Sequence, residues 1–210
     1  MKALLINGSP HQYGCTYTAL SEVAQTLGKH GVETEILYLG TKPMAGCAAC
    51  GSCAKTGRCA YNDQVNDLIA RLDTIDAIVI GSPVYYAAPA GQLTAFLDRL
   101  FFAGAYTSEN RMAGKLGACV VSCRRGGASA AFDRLNKYFT ISSMPIVSSQ
   151  YWNQVHGNTP DEVRQDAEGM QTMRTLGENM AWLLKCIDLG RRLGVPAPEY
   201  EPPLCTNFIR

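Results

Sequence analysis

Residues 76–102, "DAIVIGSPVYYAAPAGQLTAFLDRLFF", carry two structural periods separated by a turn. Ala77 to Ile80 form an unbroken apolar run rich in β-branched residues, the pattern of a strand buried on both faces. The run stops at Gly81-Ser82-Pro83. From Gly91 onward the apolar residues return at helical spacing, so the stretch predicts a strand that feeds a helix through a glycine- and proline-bearing turn.

The same pattern opens the chain. "KALLING" (2–8) ends at Gly8-Ser9-Pro10 and leads into 16–31, where Leu20, Val23, Ala24 and Leu27 share one helical face, with Thr16 or Cys15 near the start and Gly31 past the end. "VETEILYL" (32–39) predicts a second strand. Asp63 precedes a helix over 64–75 with Val65, Leu68, Ile69 and Leu72 as its stripe. "KLGACVVSC" (115–123) predicts a strand, 126–141 a helix, and "MPIVSS" (144–149) a last short strand. Thr159-Pro160-Asp161-Glu162 supplies a cap, a first-turn proline and acidic first-turn residues, opening a long helix to about Arg192. Its Val163, Ala167, Met170, Met173, Met180, Leu184 and Ile187 are expected in the core.

Strands that alternate with helices need crossover connections, which predicts an α/β fold: a three-layer, doubly wound, five-stranded parallel sheet. At 210 residues with 47% hydrophobic and 18% charged content, the chain is expected to form a single domain over 1–210. A cysteine-rich loop at 44–60 and an extended, proline-rich tail at 194–210 are the two departures from regular structure.

Charge and composition exclude several functions. The formal net charge is +1 with 19 scattered basic residues, so no basic stripe offers itself to nucleic acid. The first apolar run is too short for a signal peptide, and no stretch reaches the ~20 apolar residues of a membrane span. The expected location is the cytoplasm, without a membrane partner, where nine cysteines stay mostly reduced.

In a doubly wound sheet, ligands bind outside the carboxyl ends of the strands where strand order reverses. Three loops would share that rim. Loop 8–16, "GSPHQYGCT", lacks both the dinucleotide fingerprint and the nucleoside-triphosphate loop, leaving a turn into a helix start that suits one phosphate group. Ser9, His11, Cys15 and Thr16 would add side-chain donors; an ordinary capped turn is the alternative. Loop 82–91 places Pro83, Val84, Tyr85 and Tyr86 where backbone amides and aromatic faces suit a planar heteroaromatic ring such as a flavin. Tyrosines packing the sheet edge would look the same. Loop 122–127 has Arg124 and Arg125 for positive charge and Gly126 and Gly127 for close backbone approach, or else a surface arginine pair.

"LLINGSPHQYGCT" (4–16), "IVIGSPVYYAAPAGQLTAFLDR" (78–99) and the closing "TNFIR" (206–210) resemble the NADPH-dependent FMN reductase group of flavodoxin-like proteins. The resemblance implies FMN, with its phosphate in loop 9–16 and its ring against 83–86 and 122–127, so that Cys123 joins the site. It also implies NAD(P)H as co-substrate and a homodimer or homotetramer. Related first loops often carry arginine where His11 stands and asparagine where Cys15 stands.

Four cysteines remain. Cys47, Cys50, Cys53 and Cys59 follow a C-x2-C-x2-C-x5-C spacing. Zinc sites are normally built from two separated pairs, which this run matches poorly, whereas iron-sulfur clusters accept compact runs. The same stretch resembles the compact motif of iron-sulfur flavoproteins, which implies a 4Fe-4S cluster; free structural thiols are the alternative. Cys119, Cys123, Cys186 and Cys205 suit small core positions or inert thiols.

The expected activity is hydride transfer from NAD(P)H to bound FMN and on to a small electron acceptor, such as a flavin, a quinone or a ferric complex, with no catalytic acid or base. The alternative is an iron-sulfur flavoprotein that carries electrons without being a nicotinamide-dependent enzyme. A flavin-binding regulatory module, or a hydrolase or phosphate-ester binder on the same architecture, are more distant rivals.

Overall fold

The computed structural model describes residues 1–105, 110–201, 204 and 206; most of the "TNFIR" segment and Cys205 lie outside them. The chain runs β1 (Lys2–Asn7), α1 (Cys15–Lys29), β2 (Glu33–Tyr38), α2 (Ser52–Thr56), α3 (Gln64–Ala70), β3 (Ala77–Tyr85), β4 (Ala88–Pro89), α4 (Gly91–Ala105), β5 (Leu116–Cys123), α5 (Ala128–Ile141), β6 (Gln154–His156), α6 (Pro160–Gln165) and α7 (Ala167–Arg192). The sheet order is β2-β1-β3-β5-β6 with every neighbour parallel, and β4 adds a short antiparallel pairing to the end of β3.

Period-two alternation builds two cores on this sheet. Leu4, Ile6, Ile78, Ile80, Cys119 and Val121 face a layer of α3, α4 and α5. Ala3, Leu5, Ala77, Val79, Ala118 and Val120 face α1, α6 and α7. Fully burying a Leu or Ile contributes roughly 1.5–3 kcal/mol, so the three central strands, buried on both faces, anchor the molecule. No helix among the described residues is long and apolar enough to cross a membrane.

Two expectations need correction. The segment 144–149 is not a strand: Pro145 has no N–H, and the pairing there is a single bridge between Gly117 and Ile146. The place beside β5 goes to β6, whose approach is fixed by Val121 N–H donating to Asn153 O at 2.9 Å. The long final helix starts as expected, with the Thr159 hydroxyl accepting from Glu162 N–H and Pro160 in the first turn. It breaks at Asp166 (φ −73°, ψ 81°), whose carboxylate caps α7 by accepting from Gly169 N–H at 2.9 Å and also takes His156 N–H at 2.7 Å. Ala167, just past this break, is exposed rather than core.

Candidate functional site

Strand order reverses between β1 and β3, so their carboxyl ends form a crevice beside that of β5. The loops that leave these ends touch one another. Gly8 N–H donates to Gly81 O at 2.9 Å, Thr16 Oγ1 and Ser122 Oγ share a 2.8 Å hydrogen bond, and a Cβ built on Gly127 would stand 2.9 Å from Ala87 Cα. Residues 9–16, 83–87 and 122–127 therefore line one rim.

The first loop is shaped by its own polar groups. Asn7 Oδ1 accepts from Ser9 N–H (3.1 Å), Ser9 Oγ accepts from His11 N–H (3.1 Å), and Tyr38 O–H donates to Pro10 O (2.7 Å). At the start of α1, Gly14 offers no side-chain cap, and the first bond into the helix is Thr18 N–H to Gly14 O. Cys15, Thr16 and Tyr17 thus present backbone N–H groups without helical partners, and the helix dipole adds positive potential there. This donor set fits a phosphate group. Of the side chains expected to assist, His11 is exposed, Ser9 is buried with its oxygen engaged by His11 N–H, and Thr16 is buried with its hydroxyl on Ser122. The Cys15 thiol lies 3.7 Å from Gly157 O, and burial raises its pKa.

The second loop is a two-residue hairpin that the sequence pattern does not reveal. Tyr85 pairs with Ala88, and the intervening Tyr86 (φ 51°) and Ala87 (φ 58°) both occupy the left-handed region. Such a turn twists correctly into a hairpin but normally recruits Asn and Gly. Two side-chain-bearing residues there store strain, and the result is a fully exposed Tyr86 ring projecting from the rim. Ser82 Oγ supports the hairpin by accepting from Ala90 N–H at 3.0 Å. Pro83 and Val84 are half-buried beneath it and Tyr85 is exposed.

Across from the hairpin, Gly127 (φ 90°) opens α5 and Arg124, Arg125 and Gly126 are exposed. Cys123 is buried, and burial raises its thiol pKa. A fourth wall was hidden by the misplaced last strand: β6 ends at His156, and Gly157 N–H donates to Cys123 O at 3.1 Å while Gly157 O receives the Cys15 thiol. No local pattern marks that wall, because it depends on which segment pairs with β5. The rim, with the free N–H groups at the start of α1 and the exposed Tyr86 ring, fits a flavin mononucleotide better than a dinucleotide, for which the first loop lacks the glycine spacing.

The cysteines occupy a separate recess. The loop that leaves the edge strand β2 returns over α4, so that Cys47, Cys50, Cys53 and Cys59 all line one small recess with Ala48, Gly51, Arg99 and Phe102. Left-handed Ala49, Gly51 and Gly57 bend the loop around it, and Ala49 N–H points at Cys47 Sγ (3.4 Å). Short helix α2, absent from the expected elements, carries Cys53. Burial raises the Cys53 thiol pKa, with Cys47 and Cys59 adding to the effect. Among the described residues no three His, Cys, Asp or Glu side chains converge to the spacing of a single ion. Four thiols around one recess are the donor set that an iron-sulfur cluster would need. Arg99, eight residues into α4, places the recess about 12 Å along the helix from the rim at ~1.5 Å per residue.

A family model described as NADPH-dependent FMN reductase matches residues 1–159. An iron-sulfur flavoprotein of Methanocaldococcus jannaschii is 29% identical over 193 residues, covering 89% of this chain and 99% of that protein. An iron-sulfur flavoprotein of Archaeoglobus fulgidus is 33% identical over 150 residues, covering 70% of this chain and 73% of that protein. In structure, a flavodoxin from the domain Archaea aligns with a TM-score of 0.57 at 16% identity, covering 88% of this chain and 99% of its own, which shows the shared flavodoxin-like fold.

Proposed function

The chain belongs to the NADPH-dependent FMN reductase family, and from that premise we propose that it is an FMN-dependent electron-transfer oxidoreductase whose Cys47, Cys50, Cys53 and Cys59 hold a 4Fe-4S cluster. The single observation that carries the cluster is that all four thiols, spread over thirteen positions of an irregular loop, line one recess. The names of the relatives point the same way.

When bound, FMN supplies hydride-accepting and single-electron chemistry and the cluster supplies single-electron chemistry. The chain's own residues do the positioning. The N–H groups of Cys15, Thr16 and Tyr17 hold the phosphate, the hairpin at 84–88 and the backbone of Gly127 grip the ring edge, and Tyr86 stands at the mouth where a small acceptor enters. No side chain at the rim has to move a proton as a condition of turnover.

NAD(P)H as the electron source is a second element of the proposal, favoured by exposed Arg124 and Arg125 at the rim, which offer charge to a nucleotide phosphate. Self-association and a small-molecule acceptor complete it. Stripped protein titrated with FMN should quench flavin fluorescence with a one-to-one endpoint. Anaerobic addition of NADPH or NADH to the yellow protein should then bleach it. Failure to take up FMN would sink the flavin assignment; uptake without bleaching would leave a carrier loaded by another protein and remove the nicotinamide.

A further inference from the structure

Arg99 sits on the core-facing side of α4 with a wholly buried side chain, where an aliphatic residue would pack at lower cost. Its five N–H groups meet five acceptors. Nη1 and Nη2 donate to Asp63 Oδ2 (2.7 Å) and Oδ1 (2.8 Å), Nη2 to Tyr61 O (3.3 Å), Nη1 to Ala45 O (3.4 Å), and Nε to Cys59 Sγ (3.2 Å). The guanidinium also lies 4.9 Å from the centre of the Tyr61 ring. Only arginine offers this planar fork. Pinning the loop does not by itself need the Nε–H on a sulfur, because Asn66 already holds Cys59 through the Cys59 backbone N–H (2.8 Å) and carbonyl (2.9 Å). A permanent positive charge and a hydrogen bond aimed at one of four clustered thiols are the two protein features that, with burial, set the potential of an iron-sulfur centre.

We propose that Arg99 is a positioning residue of the cysteine site, which holds Cys59 Sγ by its Nε and raises the reduction potential of a cluster bound there, with Asp63 as the counter-charge that limits the rise. The inference rests on the cluster reading above. It assigns opposite electrostatic signs to two residues that a merely structural network would treat alike.

The test compares anaerobically isolated wild type with Arg99→Lys, Arg99→Gln and Asp63→Asn, each assayed for iron and labile sulfide and then titrated to a midpoint potential by electron paramagnetic resonance. Asn at position 63 can still cap α3, as Asp63 does by accepting from Val65 N–H. The expected results are a more negative midpoint for Arg99→Gln, an intermediate one for Arg99→Lys, which keeps the charge and loses the fork, and a more positive one for Asp63→Asn. Equal midpoints across the iron-loaded proteins, or shifts of one sign in Arg99→Gln and Asp63→Asn, would overturn the role of Arg99 while leaving the cluster intact. Should Arg99→Gln fail to fold, Arg99→Lys and Asp63→Asn still give opposite predicted signs. A wild type that binds FMN but no iron would overturn the cluster itself, and this role with it.

Discussion

Gly127 is the residue through which α5 closes on the hairpin. Its φ of 90° is costly for any side chain, and a methyl group there would strike Ala87 Cα and Val84 Cγ1. Gly127→Ala should lower stability by about 1–3 kcal/mol and FMN affinity by roughly tenfold or more, about 1.4 kcal/mol, as read by thermal melts and fluorescence titration. The turn opposite gives a split outcome. Tyr86→Asn combined with Ala87→Gly places preferred residues at two left-handed positions, so urea unfolding should show a gain of about 1 kcal/mol while flavin affinity falls with the lost ring. Glu35 tests a different quantity. Arg71 grips its carboxylate with two 2.6 Å bonds and Lys2 lies 3.3 Å away, which lowers its pKa. A pKa lowered by folding means stabilisation that is present above the ordinary carboxylate range and lost as pH falls through the folded value. Both side chains are about a third exposed, so Glu35→Gln should cost roughly 1 kcal/mol or less at pH 7. That gap should close below about pH 4 in paired urea melts. Ser9, Pro83 and Gly127 were legible as rim residues from turn chemistry alone. That the Thr16 hydroxyl turns inward to Ser122 was not, because it depends on how α1 rolls against β5, a tertiary fact no local pattern encodes.

At the scale of elements, strands buried on both faces declared themselves by their apolar runs, and helices by their stripes. The failures have physical causes that lie beyond local pattern. Ile146 and Val147 have strand-like side chains, but Pro145 lacks a donor and the upper part of β5 is already paired with Gln154–His156. Competition for one sheet edge is settled by long-range register, not by propensity. The break before α7 follows from Asp166 serving as cap to that helix and anchor to His156 at once. Helix α7 also shows a residue kept against its own propensity. Gly177 costs about 1 kcal/mol relative to Ala in mid-helix, yet a Cβ there would lie 2.7 Å from Thr26 Cβ and 3.2 Å from Val23 O on α1. Gly177→Val should therefore push the two helices apart and cost roughly 2–3 kcal/mol, seen as a lower urea midpoint with the far-ultraviolet circular dichroism unchanged.

For the whole molecule, the reversal of strand order between β1 and β3 puts three βα loops on one rim, and the excursion after β2 puts four thiols in a second, separate recess. Each part can fail alone. Replacing Cys47 and Cys53 by Ser should abolish iron binding and leave the FMN titration unchanged, because neither residue touches the rim. The most direct measurement is the ratio of iron and acid-labile sulfide to FMN in the anaerobically isolated chain. About four irons and four sulfides for each FMN are predicted; flavin bound at full occupancy with no iron or sulfide would contradict the account.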